Sequence, residues 1–294
     1  MNKLSSKIFL IYSVAVVILV SVFRFFQYVS IIDYSTGFFL REASLGGNLL
    51  YVLLAVFGAG FIALTFLGKK KAWSALTVSS DGMSNRATLF LGASFIIVAA
   101  SKLLITMNMV DGGAFKLISS YVFSACMGAL GLVLLKNTVP PIISGFIALF
   151  PAIYYFTLAS EIFSEDLIIK NRSDNLILLL CYVCGTMFFA SSARFFSRLE
   201  TKLSRSRELI FGGFTFMLSF IHVLSKLLAY AFGGDAVFGM PPVSADAVLL
   251  LIISGTFLFV VCLTENNKEI DYLVVEKKKE KESSQPESSN ENEE

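Results

Sequence analysis

Histidine occurs once in these 294 residues, at His222, so one chain has no means to build a multi-histidine metal centre. Charged residues make up only 16% of the total, against about 25% in an ordinary soluble domain. The four cysteines, Cys126, Cys181, Cys184 and Cys262, all fall inside apolar runs. Cys181-x-x-Cys184 has no second pair to complete a zinc or redox motif, which leaves these thiols the role of small hydrophobes. Missing too are the phosphate loop G-x-x-x-x-G-K-[ST], the zinc helix H-E-x-x-H and the nucleophile elbow G-x-S-x-G. No pair of aspartates within a span is placed to hold magnesium. No basic patch is interleaved with exposed aromatics in the manner of a nucleic-acid surface. The expectation is therefore no cofactor, no metal, no nucleic-acid partner and no enzyme of these kinds.

Apolar residues are what the chain has in excess. They make up 55% of it, Phe alone contributes 29, and the mean hydropathy is +0.73. Eight apolar segments stand out: Ile8–Ile32, Asn48–Leu67, Thr88–Met107, Leu117–Leu135, Pro141–Phe163, Asn175–Phe195, Leu209–Phe232 and Ala245–Leu263. At about 1.5 Å per residue each is long enough for about 30 Å of hydrocarbon. The short alternating segments of a membrane β-barrel are absent. The fold class this predicts is an all-α membrane protein with eight transmembrane helices, in contact with a lipid bilayer. The start, Lys3 and Lys7 before an apolar run, resembles a signal peptide. Bulky Phe23-Arg24-Phe25-Phe26 follows in place of a small-x-small cleavage site, so it reads as an uncleaved first span.

Basic residues are distributed unevenly among the loops. Seventeen Lys and Arg fall on the side that includes both termini, the Lys69–Arg86 loop, Lys136 and the Arg194–Arg207 loop. Five fall on the other side: Arg24, Arg41, Lys116, Lys170 and Arg172. Positive residues are retained in the cytoplasm, which predicts a cell-membrane protein with both termini inside. Residues 265–294 hold ten acidic and five basic residues and few apolar ones, the composition of a disordered charged tail. Arg194, Arg198, Lys202 and Arg205 recur at helical spacing, as if the sixth helix ran past the bilayer onto anionic headgroups.

Ser101-Lys102-Leu103-Leu104 returns as Ser225-Lys226-Leu227-Leu228, 124 positions later. A shift of 127 also aligns Asn48-Leu49 with Asn175-Leu176, Gly58 with Gly185 and Phe61 with Phe188, giving seven identities in sixteen positions. The pattern predicts a tandem duplication of a four-helix unit, residues 1–136 and 137–264. Four spans per unit is an even number, so both copies face the same way.

Both repeated lysines lie in spans otherwise suited to lipid, where a charge is costly and normally kept for pairing or function. Lys102 is about 24 Å of helix beyond Arg86 and Lys226 about 28 Å beyond Arg207, which places both in the outer half. Arg24 lies at similar depth. Asp33 and Glu161, near the outer ends of the first and fifth helices, are the candidate counter-charges. His222 precedes Lys226 by one turn on the same face. Ser244 and Asp246 read as an N-cap and a first-turn anion of the eighth helix. Three readings of the lysines stay open. Each pairs with its own unit's carboxylate or snorkels to the headgroups. Alternatively Lys102, Lys226 and Arg24 form an outward-facing pocket for an anionic solute or lipid headgroup. Or protons move through Lys226 and His222.

After the first span comes Asp33-Tyr34-Ser35-Thr36-Gly37-Phe38-Phe39, a turn that Asp33 and Gly37 suit. The stretch resembles the D-x-x-T-G-F-aromatic segment of uncharacterised multispanning membrane proteins of Gram-positive bacteria. That resemblance implies a bacterial membrane and carries no activity. The functional expectations are a transporter-like or anion-binding membrane protein, or a structural or signalling component acting through its tail or basic loop. An intramembrane hydrolase built on a serine and His222 is the third.

Overall fold

The computed structural model of the chain describes residues 3–33, 38–39, 44–67, 86–108, 113–136, 141–169, 173–197, 202–233, 240 and 242–263. Eight helices account for almost all of them: α1 Lys3–Ser30, α2 Ser44–Leu67, α3 Arg86–Met107, α4 Ala114–Lys136, α5 Pro141–Ile169, α6 Ser173–Phe196, α7 Lys202–Phe232 and α8 Ala245–Leu263. Seven are long and apolar enough to cross a membrane, and α8 carries a shorter apolar stretch, Ala245–Val260. With 19 residues α8 still rises about 28 Å. Two short strands, β1 Ile32–Asp33 and β2 Phe38–Phe39, pair antiparallel after α1. The turn between them, with Gly37, lies outside the described residues, as do the tail 265–294 and most of the Lys69–Arg86 loop. This is a polytopic helical membrane protein.

The helices are apolar nearly all round, as lipid on one side and protein on the other require. Large side chains such as Ile11, Phe115, Ile142, Phe146 and Phe232 are exposed, while Val20, Leu130, Tyr155, Ile221 and Leu250 are sealed in the core. Close approach depends on small residues. A Cβ on Gly131 of α4 would lie 2.8 Å from the Gly92 carbonyl oxygen of α3. Two turns away, Ser124 donates to the Ala99 carbonyl at 2.7 Å. Gly145 of α5 meets Ser197 and Ala193 at the end of α6 in the same manner. α5 runs unbroken through Pro151.

Helix α7 is the most enclosed of the spans and packs on α1, α2, α6 and α8. α3 packs chiefly on α4 and α8. The basic residues read as an extension of the sixth helix are divided instead. α6 ends at Phe196 and Lys202 already opens α7. Helical spacing of surface charges persists by chance across a chain reversal, because no packing face constrains it.

Candidate functional site

Asp174 and Asp246 occupy equivalent local positions, each in the first turn of its helix, α6 and α8. There a carboxylate gains from the partial positive charge of the helix N-terminus. Both meet the closing turns of helices running the opposite way, and this defines a carboxylate end of the bundle. Lys102 donates to Asp246 Oδ1 at 2.7 Å, and the Tyr154 hydroxyl donates to the same oxygen at 3.0 Å. The Lys102 ammonium also stands 5.0 Å from the centre of the Tyr154 ring, within cation–π range.

Asp174 is shared by two cations. Arg24 donates to Oδ1 at 2.6 Å, the Tyr28 hydroxyl donates to that oxygen at 2.5 Å, and Lys226 stands 3.5 Å from Oδ2. Arg24 also donates to Gln27 Oε1 at 2.8 Å, and Gln27 Nε2 passes the network to the Gly46 carbonyl at 2.5 Å. Lys226 reaches the Pro242 carbonyl at 3.3 Å. Tyr182 of α6 and Ser244, just before α8, are joined hydroxyl to hydroxyl at 2.7 Å. Their bond, with the ring contacts Tyr154–Tyr155 and Tyr155–Tyr182, connects the surroundings of the two aspartates.

The cations are enclosed and the carboxylates are not fully so. Arg24, Lys102 and Lys226 are 0%, 1% and 2% exposed, whereas the side chains of Asp174 and Asp246 are each 15% exposed. The lysines thus do not snorkel. They end on carboxylates inside the protein, as burial of a charge demands.

The carboxylates expected from sequence were Asp33 and Glu161, and the pairing differs. Glu161 is bound to Lys116 of α4 at 2.9 Å, with both side chains 44% exposed. Its place two turns before the end of α5 puts it among the exposed residues of the bundle. The side chain of Asp33 lies outside the described residues. Pairing within a four-helix half holds for Lys226, whose carboxylate Asp174 lies in its own half, but not for the other two cations. Lys102 and Arg24 belong to the first half, and their partners Asp246 and Asp174 to the second. Sequence alone gives Asp174 no role, because it follows Asn171-Arg172-Ser173 at what reads as a loop end. Asp246 reads from sequence as a first-turn anion only. The signal that finds both is an acidic residue in the first turn of an otherwise apolar span.

His222 is 3% exposed, and neither ring nitrogen has a hydrogen-bond partner among the described residues. No serine–histidine pair of the kind a hydrolase needs is therefore formed among them. Cys126, Cys181 and Cys184 are free thiols. No cluster of three metal-ligating side chains occurs among the described residues.

No protein-family model, curated protein or solved structure matches the chain. What it does must be argued from its own geometry.

Proposed function

We propose that this membrane protein holds an anionic group, a small solute or a lipid headgroup, at the carboxylate end of its bundle. The observation that carries the reading is the count of buried charges: Arg24, Lys102 and Lys226 against Asp174 and Asp246. Among the described residues of this cluster one positive charge is in surplus, and the cations are enclosed by protein, where an anion gains far more than at a surface. The loop charge count supports this as the outer end, with both termini cytoplasmic, and the D-x-x-T-G-F resemblance supports a bacterial cell membrane. The recurrence of S-K-L-L supports two parallel four-helix units, residues 1–136 and 137–264, as in transporters with parallel repeats.

The test is thermal unfolding of the purified full chain in nanodiscs, with graded sulfate or phosphate, and separately with phosphatidylglycerol in place of phosphatidylcholine. Stabilisation by the free ions, lost in the Lys102→Met/Lys226→Met double variant, identifies a solute site. Stabilisation by the anionic lipid alone, lost in the same variant, identifies a headgroup site. An unchanged midpoint under every condition, or a shift the double variant retains, defeats the reading. Reporter fusions after Lys71, Lys116 and Val275 check the orientation and should read inside, outside and inside.

A second reading draws on the enclosure of the same charges. Arg24–Asp174 and Lys102–Asp246 both join residues about half the chain apart, as staples of a scaffold do. The active parts would then be the tail 265–294 or the Lys69–Arg86 loop. A phenotype confined to deletion beyond Leu273, with the lysine variants silent, favours this scaffold or signalling role.

A further inference from the structure

Below the charged cluster, α7 carries a line of polar residues through the bundle. Glu208, Thr215, Ser219, His222 and Lys226 recur at intervals of seven, four, three and four. On a helix of 3.6 residues per turn they fall within an arc of about 60° and span about 27 Å, close to the hydrocarbon thickness. All five are buried: Glu208 is 8% exposed, Thr215 and Ser219 are 0%, His222 is 3% and Lys226 is 2%. A line of buried polar residues along one helix is costly in a membrane protein, and such lines mark ion and proton routes. The small apolar cleft lined by Gly213, Phe216 and Met217 opens on other faces of α7 and plays no part in it.

We infer that this line is a route for protons across the bundle, with His222 relaying between Asp174 at one end and Glu208 at the other. Asp174, 15% exposed, is the contact with water at the carboxylate end. At the opposite end Glu208 accepts a hydrogen bond from Ser192 of α6 at 2.7 Å. Ser219 and Thr215 donate to the carbonyls of Thr215 and Phe211 one turn earlier, at 2.6 and 2.7 Å, which leaves oxygen lone pairs to accept. Neither nitrogen of His222 is engaged by a described residue. The imidazole can therefore bind a proton at one nitrogen and release one from the other. One N–H bond forms, one breaks, and return to the first tautomer resets the ring.

The charges that act on His222 are those of Arg24, Asp174 and Lys226. Arg24 and Tyr28 belong to α1, Asp174 to α6 and Lys226 to α7 itself, and Tyr51 of α2 lies within electrostatic range of the Arg24–Asp174 pair. From α8 the nearest charge is Asp246, held by Lys102. Between Glu208 and Thr215 the route is lined by aromatic rings. Phe188 and Phe257 pack against Gly212 there, so passage requires those rings to move, and the path is closed at rest.

This inference does not rest on anion binding, and the two can fail separately. The experiment uses the full chain in proteoliposomes holding a pH-sensitive dye, with a potassium diffusion potential set by valinomycin. Proton uptake should exceed that of protein-free vesicles several-fold and fall to the protein-free level in His222→Phe and in Glu208→Gln. Ser124→Ala, which removes a buried hydroxyl on α4 away from the line, should conduct like the parent. Glu208→Gln lies far from the cation cluster, so it should lose flux while keeping any stabilisation by sulfate or phosphate. If His222→Phe fails to elute as a monodisperse species, His222→Asn takes its place. Parent vesicles no more permeable than empty ones, or histidine and glutamate variants that conduct like the parent, would overturn the proposal.

Discussion

Lys102 has a carboxylate to itself at 2.7 Å, whereas Lys226 shares Asp174 with Arg24 and stands 3.5 Å away. The same four residues, Ser-Lys-Leu-Leu, surround both lysines in sequence, so local chemistry does not explain the difference. Their helices do. α7 is packed on four others, one of which brings Arg24, while α3 has α4 and α8 as its chief neighbours. The two glycines aligned by the repeat differ in the same sense, since Gly58 meets Phe214 of α7 and Gly185 meets Leu250 of α8. A repeated tetrapeptide therefore fixes depth and side-chain direction along each helix. It does not fix the electrostatic surroundings, which depend on the neighbours.

The largest expected effect is at the shared carboxylate. Asp174→Leu strands two buried cations, so its cost should reach or exceed the roughly 3–5 kcal/mol of losing one partner of a buried pair. Asp246→Leu strands one and should cost less. Unfolding midpoints of the two variants in the same detergent order them, and equal losses would show that sharing does not distinguish the sites. The lysines should rank the other way. Lys102→Met leaves Asp246 with the Tyr154 hydroxyl and should cost about 1.5–3 kcal/mol, the range for hydrogen bonds to charged groups. Lys226→Met leaves Arg24 and Tyr28 on Asp174 and should cost under about 1 kcal/mol. A larger loss at Lys226 in the same assay would mean that its 3.5 Å contact is the stronger one. The smallest effect belongs to the exposed Lys116–Glu161 pair. Glu161→Gln should change stability by about 0–1 kcal/mol, and by less at high salt. A cost comparable to that of Asp246→Leu would make Glu161 part of the buried network.

The ends of five sequence-predicted segments recur in the helices: Leu67, Met107, Pro141, Phe232 and the whole of Ala245–Leu263. Elsewhere the helices run beyond the apolar stretch. α5 continues past Phe163 to Ile169, and α7 begins at Lys202, seven residues before Leu209. Hydropathy marks where lipid begins, whereas a helix goes on as long as its backbone bonds are satisfied. Of the residues singled out by charge and depth, Arg24, Lys102, Lys226 and His222 are all buried. Glu161 pairs with Lys116 instead of a buried cation because proximity along one helix says little about which other helix lies opposite.

By itself the sequence determined that this chain is a membrane protein, how many helices it forms and which cations lie at depth. Those properties follow from the composition of single segments, since each span must satisfy its backbone and present apolar side chains whatever lies beside it. Only the tertiary structure decided that Asp174 and Asp246 receive those cations, Arg24 and Lys102 across 150 and 144 positions, and that a line of polar residues on α7 from Glu208 to Lys226 is buried. Both depend on which helices adjoin, and that is set by the fit of many small and large side chains at once. No individual segment encodes that fit.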